Sequence, residues 1–268
     1  MRIDKPQISS TKIQMINKKK NIAVVILAAG LGTRMKSEKA KVLHAVQGRP
    51  MILYVVETAR EIAGDDIVMV IGNQARQVRE IVSQTAALRF AYQEKQLGTG
   101  HAVLCALPHI PAHCEHVVIL CGDTPLIMPE TISDLVAEHF HARRDVSLLA
   151  VELQNPAGYG RIVLDADKQV VGIIEEADAT AEQRQIKLIN SGIYCVRKQF
   201  LTDALPNITP NNAQGEIYLT DIISIGYKTN KRMGLLICHN CQQILGINTC
   251  EDLKAVDALM RARLRIIA

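Results

Sequence analysis

A chain of 268 residues, 48% of them hydrophobic, is long enough for a substantial core and has an ordinary globular balance. Aromatic residues make up 3% and Trp is absent, so the rings on which single-stranded nucleic acid would stack are scarce. A formal charge of +4 suits a phosphate-bearing small ligand but falls short of a clustered basic footprint, and no nucleic-acid partner is expected.

The first twenty residues are polar and basic, end in Lys18-Lys19-Lys20, and read as a flexible, solvated extension (residues 1–20). They lack the apolar core of a secretory signal. The longest apolar stretch, Ile22 to Ala29, is far shorter than the ~20 residues that span a bilayer, so no membrane partner is expected. Seven scattered cysteines, an odd number, form no disulfide framework and suggest a reducing cytoplasm.

Ile22 to Leu27 is a continuous β-rich run that predicts a strand covered on both faces. A glycine-containing loop follows. Pro50 is expected to open a helix reaching about Ala63. Ile67 to Ile71 reads as a buried strand, Gln74 to Gln84 as its helix, and Thr99 or Gly100 as the start of another. Val117 to Leu120 predicts a strand ending at Cys121-Gly-Asp123, and Pro129 a helix to about Arg143. Alternation of this kind implies crossover units and a mainly parallel, twisted sheet. Beyond residue 145 the pattern turns strand-rich: Val146–Leu153, Arg161–Leu164, Val170–Glu175, Leu188–Val196 and Leu235–Ile237. A closing helix starts at Thr249, whose spacing to Asp252 resembles a capping box. One α/β unit over residues 21–268 is therefore expected, with a nucleotide-binding half (about 21–145), a sugar-binding half (about 146–248) and the closing helix (249–268).

Chemistry first shows in Leu27-Ala-Ala-Gly-Leu-Gly-Thr-Arg-Met35, directly after the first strand. Ala28, Ala29, Gly30 and Gly32 let backbone approach a ligand, and their amides can donate to phosphate oxygens. Beyond the carboxyl end of a parallel strand is where ligands gather in such sheets. The loop fits neither a dinucleotide fingerprint nor a Walker loop. Arg34 can grip phosphate bidentately, and Lys41 offers a compact point charge.

Together with Lys41-Val-Leu-His44, Gln96-Leu-Gly-Thr-Gly-His-Ala102, Gly122-Asp123, Gly158-Tyr-Gly-Arg161, Asn190-Ser-Gly-Ile193, Gln214-Gly-Glu-Ile-Tyr-Leu-Thr-Asp221 and Gly246-Ile-Asn248, this loop forms an ordered set. The chain so resembles, from about residue 22 to 260, the pyrophosphorylase domain of N-acetylglucosamine-1-phosphate uridyltransferases in the sugar nucleotidyltransferase superfamily. The resemblance implies a Rossmann-like nucleotidyltransferase fold and transfer of a uridylyl group from UTP to N-acetylglucosamine-1-phosphate. It places Leu27, Ala28, Ala29 and Gly30 along the nucleotide, and Gln93, Gly98 and Thr99 at the uracil. Gly158, Glu175 and Asn190 take the sugar, while Asp123 and Asn248 take Mg2+. Arg34 and Lys41 are the implied catalytic groups, stabilising charge as the sugar phosphate attacks the α-phosphate in line. A nucleotidyltransferase for another sugar 1-phosphate or base, or a catalytically weak regulatory paralogue, are the rival readings.

The chain departs from the family pattern at Ala40, where proline usually precedes the lysine; alanine leaves that segment freer. Bifunctional relatives continue into a left-handed β-helix with a second, acetyltransferase activity. Because this sequence stops at Ala268, that activity is expected to be absent and the chain monomeric or weakly homo-oligomeric. Two metal-like patterns read as decoys: Cys238-His-Asn-Cys241 has no second ligand pair, and His113-Cys-Glu-His116 reads as a solvated loop.

Overall fold

The computed structural model describes residues 21–267, so the expected N-terminal extension lies outside the described residues. Strand β1 (Ile22–Ala28) lies within a nine-stranded sheet, and its residues Ile22 to Ile26 are all buried. After it come α1 (Met51–Ala63), β2 (Ile67–Ile71), α2 (Ala75–Ser83), β3 (Arg89–Tyr92), α3 (Thr99–Ala106), β4 (His116–Cys121) and α4 (Pro129–His141). The second stretch supplies β5 (Val146–Glu152), β6 (Arg161–Leu164), β7 (Val170–Ile174), β8 (Leu188–Arg197), α5 (Lys198–Ala204), α6 (Asp221–Lys228), β9 (Met233–Ile237) and α7 (Cys250–Ile267).

The main path of the sheet runs β9-β5-β8-β4-β1-β2-β3, with β6 paired to β8 and β7 to β6. Strands β4, β1, β2 and β3 are parallel neighbours, and β9 is parallel to β5. Strand β8 runs against β4 and β5 and joins the two stretches, so one sheet crosses both expected halves without a break. This is the expected Rossmann-like α/β architecture. Alternation along β1 divides the core: Val24 and Ile26 pack with α1, α2 and α4, whereas Ala23 and Val25 pack with α3, α5 and α6. A third cluster sets Val256 and Met260 of α7 against Met35, Val46 and Met51. Gln47 reinforces it, its amide N–H donating to Asp257 Oδ1 at 2.7 Å.

Most predicted elements fall within a residue or two of their observed ends. Pro50 takes the N-cap position at φ −48°, ψ 129°, so α1 begins at Met51. Helices α5 and α6 and strand β3 are absent from the sequence reading. Asp221-Ile-Ile-Ser-Ile carries β-branched residues that resemble a strand, yet it coils because Ile222 and Ile223 bury together in the α5 and α6 side of the core. Arg89-Phe-Ala-Tyr92 is a sheet edge with two exposed residues, too polar to stand out. The Thr249 cap is reciprocal: Asp252 N–H donates to Thr249 Oγ1 at 3.1 Å, and Thr249 N–H to Asp252 Oδ2 at 2.8 Å.

A buried imidazole pair lies between α4 and the sheet. His139 sits 3.0 Å from His116 Nδ1 and 2.9 Å from Ser147 Oγ. Burial, then the His116, Arg144 and Arg197 charges, pull His139 from its ordinary 6.5 down to about 3, against a small opposing effect of Asp145. The unfolded chain therefore binds this proton below pH 6.5 and the folded chain does not, so stability falls as pH drops through that window. At pH 5 the loss is on the order of 2 kcal/mol. Thermal unfolding of His139→Gln is expected to lose less stability between pH 7.5 and pH 5 than the parent; parallel curves would contradict this.

Candidate functional site

Strand β1 has β2 on one side and β4 on the other, so the chain reverses its direction of winding at their carboxyl ends. A crevice opens at such a point because the loops after the two strands turn opposite ways. Here a cleft of about 500 Å³ lies there. Leu27, Ala28, Ala29, Gly30, Arg34, Lys41, Gln93, Gly98, Thr99, Asp123 and Asn248 all line it. Gly122 packs too tightly for a side chain: a Cβ would lie 2.9 Å from both Leu27 O and Ile52 Cδ1. That contact sets Asp123 beside the β1 loop.

A carboxylate oxygen and an amide oxygen from distant parts of the chain meet at one cation, the Lys41 ammonium. The Lys41 ammonium donates to Asp123 Oδ2 and, at 3.1 Å, to Asn248 Oδ1. Arg34 Nη2 donates to the same Asn248 oxygen at 2.9 Å. Asn248 is carried there by Ile247, whose N–H donates to Asp123 O at 3.0 Å, and by the α7 cap that begins beside it. Ala40, expected to leave the Lys41 segment loose, is buried at φ −51°, a proline-like value. Its N–H donates to Gln74 Oε1 at 2.8 Å, a bond that proline lacks the hydrogen to make. A side-chain contact thus does part of what the ring does elsewhere.

Across the cleft, Gly98 makes the turn into α3 with φ 108° and ψ 174°. The segment after Gln214 is laced to this turn: Ile217 N–H donates to Leu97 O at 2.7 Å, and Gly100 N–H to Ile217 O at 2.8 Å. Thr99 Oγ1 accepts from Leu219 N–H at 3.0 Å, so its oxygen is partly committed to holding the wall. Gln214 and Glu216, to which no role attached in the sequence, line the same cleft.

Gly158, Glu175 and Asn190 do not line this cleft. Glu175 lies close enough to Cys121, a cleft residue, for its charge to act on that thiol, and Asn190 joins Glu175 at Gly160. Asn190 is buried; its Nδ2 donates to Tyr194 Oη at 2.7 Å, and its N–H to Gly160 O at 2.9 Å. Gly160 lies against the Glu175 carboxylate, which accepts from Thr220 Oγ1 at 3.0 Å. Burial pushes the Glu175 carboxyl up, with the Thr220 bond working against it. The adjacent Glu176 faces the other way, pairing with Arg161 at 2.7 Å and accepting from Gly158 N–H at 3.0 Å. Gly158 itself is exposed. Thr220 and Tyr194 are polar members of this cluster that sequence reasoning passed over, because neither stands out from the buried strand and loop around it.

Residues 24–187 match the MobA-like NTP transferase domain family. The chain belongs to that family. Among curated relatives, the bifunctional protein GlmU of Geotalea uraniireducens is 46% identical over 91% of this chain and 53% of its own length. The GlmU of Desulfotalea psychrophila is 44% identical over 92% of this chain and 73% of its own. The chain thus spans about half the length of most of the relatives it matches. Among solved structures, a protein assigned as a glucose-1-phosphate thymidylyltransferase from Bacillus anthracis superposes with TM-score 0.72 at 20% identity, covering 90% of this chain and 95% of its own. HddC from Yersinia pseudotuberculosis gives 0.64 at 20% identity, over 89% and 99%. The MobA-like family and the GlmU relatives together make this chain an enzyme, a nucleotidyltransferase.

The remaining metal-like patterns lie away from this MobA-like cleft. His113 is exposed, but Cys114 and His116 are buried, so the segment is only half the expected solvated loop. His113 Nε2 meets Asp66 Oδ2 at 2.8 Å, and Cys114 completes a ligand-like trio with them. Burial and then Asp66 push the Cys114 thiol up to about 11, and Arg89 stands 3.7 Å from the same carboxylate. A protonated thiol and a neighbouring guanidinium fit an ion-paired corner better than a metal centre. Cys238 is buried and Cys241 exposed at the end of β9. No described helix is long and apolar enough to cross a membrane.

Proposed function

We propose that the chain transfers a uridylyl group from UTP to N-acetylglucosamine-1-phosphate, giving UDP-N-acetylglucosamine and pyrophosphate. The coarser part of this reading, sugar-1-phosphate nucleotidyl transfer, draws support from the GlmU relatives and the MobA-like family. One observation carries it: a cation clasped by Asp123 and Asn248, residues far apart in sequence, beside Arg34 and the glycine loop.

That clasp tests whether Mg2+ fits. Mg2+ prefers hard oxygen ligands, takes one or two from protein and leaves the rest to water and phosphate. Asp123 Oδ2 and Asn248 Oδ1 are such a pair and already converge on one positive charge, the Lys41 ammonium. They would hold Mg2+, which when bound neutralises charge on the phosphates. The loop amides of Ala28 to Gly30 cradle the triphosphate. Arg34 grips its oxygens, and Lys41, released from Asp123, follows the charge onto the α-phosphate. An ionised oxygen of the sugar phosphate forms the new bond to the α-phosphorus as the bond to the bridging oxygen breaks. The electron pair leaves on pyrophosphate. No protein nucleophile is needed, because the attacking oxygen is already anionic; orientation and fixed charge supply the catalysis.

Pyrophosphate release should be fastest with UTP, N-acetylglucosamine-1-phosphate and Mg2+, against glucosamine-1-phosphate, glucose-1-phosphate, dTTP and CTP. Preference for glucose-1-phosphate or dTTP would move the chain to a neighbouring specificity. Nucleotide binding without release from any pair would make it a regulatory binder.

The Glu175, Asn190 and Thr220 cluster is the proposed sugar pocket, with Glu175 accepting from sugar hydroxyls. Glu175→Gln is expected to raise KM for the sugar phosphate about tenfold, from loss of a charge-assisted hydrogen bond, while KM for UTP stays within about twofold. Steady-state kinetics with each substrate varied in turn checks this; equal shifts in both KM values would contradict it.

A further inference from the structure

The base-facing wall of the cleft contains a side chain whose orientation is fixed from behind. Gln93, only 3% exposed, directly follows β3 and lines the cleft. Its Nε2 lies 3.0 Å from the Gly98 carbonyl oxygen and 3.0 Å from His101 Nδ1. A carbonyl can only accept, so the atom facing it must be the amide nitrogen. Both Nε2 hydrogens are then used, one on Gly98 O and one on His101. The imidazole must therefore present a bare Nδ1 and carry its proton on Nε2, which points to Cys105 Sγ at 3.8 Å. Burial holds the Cys105 thiol protonated and its pKa raised, leaving that sulfur a weak acceptor. Gln93 Oε1 is left without a partner among the described residues, and so is the Gly98 N–H beside it.

We infer that His101 is a positioning residue for base recognition: by holding the second Nε2 hydrogen of Gln93, it makes this glutamine present an acceptor alone. The cleft then matches a base edge whose ring N–H is flanked by carbonyls, the imide edge of uracil and thymine. The Oε1 acceptor meets the N–H, and the Gly98 N–H finds a carbonyl on whichever side it falls. Cytosine has a bare ring nitrogen at that place, so it can engage both groups only by sliding along the wall. The inference rests on the proposed nucleotide site and names the residue behind its base selectivity.

Without the His101 acceptor, one Nε2 hydrogen is stranded in a buried place and the amide can turn. His101→Leu is expected to raise KM for UTP about tenfold with kcat within about twofold, a modest share of the range for a stranded polar group. KM for the sugar phosphate should hold, and the UTP-over-CTP preference should narrow by a similar factor. His101→Asn, whose Oδ1 can stand where Nδ1 stood, should restore most of the preference. Nitrogen-15 NMR of the nucleotide-free parent should show the proton of His101 on Nε2. A protonated Nδ1 would overturn the inference whatever the variants do. So would a His101→Leu enzyme with unchanged KM and base preference, or one in which both substrates and kcat suffer alike. Failure of the parent itself to use any nucleotide would instead strike the proposed function.

Discussion

Replacing Asp123 with asparagine is expected to cut turnover at least about 1,000-fold, because in the proposed Mg2+ site an oxygen ligand that brings charge to the phosphates would be worth several kcal/mol in the transition state. Asn keeps the shape and one oxygen but loses the charge that draws a divalent cation, so binding and neutralisation should fail together. The fold should survive. Asp123 and Lys41 are both part-exposed, with side chains 18% and 16% accessible, so the unpaired ammonium can turn to water. Ile247 N–H reaches the Asp123 backbone carbonyl and not the carboxylate, so Asn248 stays in place. A fall in the unfolding midpoint of no more than about 2–4 °C, corresponding to a loss near 1 kcal/mol, should accompany the loss of activity. Pyrophosphate release and thermal unfolding measured on one preparation separate the two effects. Near-normal turnover with Mg2+ would remove Asp123 from the site.

Gly98→Ala should act on the opposite wall and should damage fold and binding at once. At φ 108° and ψ 174° the backbone is in a region open essentially to glycine, which costs an ordinary residue about 1–3 kcal/mol. The added Cβ would also lie 2.5 Å from Ile217 O and 2.9 Å from Ile217 N, both backbone atoms that cannot swing aside. Relief requires the 214–219 segment to move, and with it the Leu97, Gly100 and Thr99 bonds that hold it. An unfolding midpoint lower by about 5–10 °C and a KM for UTP raised at least tenfold, roughly, are expected. Gly30→Ala supplies the contrast. A Cβ there meets nothing within 4 Å, so stability should hold while the methyl crowds the nucleotide. Equal stability losses at the two glycines would contradict this picture of the walls.

Much of the architecture was legible because buried parallel strands leave an unmistakable trace. Ile22 to Leu27 and Ile67 to Ile71 are apolar without alternation, rich in β-branched residues and too short for an ordinary helix, the mark of a strand covered on both faces. The α7 start was legible for a local reason, since Thr249 and Asp252 satisfy each other's backbone. Helix α6 was hidden because its helical state is decided by where Ile222 and Ile223 find cover, a tertiary fact. The same divide runs through the site. Arg34 and Lys41 could be singled out by residue type beside the loop after β1, whereas Asp123 and Asn248 were singled out only through the family resemblance. That Lys41 clasps both Asp123 and Asn248, that Gln74 pins Ala40, and that Glu175 turns inward while Glu176 turns out all depend on contacts between distant segments. The Gln93–His101 bond was hidden for another reason: His101 carries no signature until its partner's hydrogens are counted.

Binding of Mn2+ as a spectroscopic substitute for Mg2+ probes the Asp123–Asn248 pair without requiring catalysis. With UTP present, electron paramagnetic resonance should count one tightly held Mn2+ per chain. Asp123→Asn and Asn248→Ala should each weaken it by at least about tenfold, the lower end of what loss of even an outer-shell partner costs. Unchanged Mn2+ affinity in both variants would show that these two residues, though brought together, do not share a cation with the triphosphate.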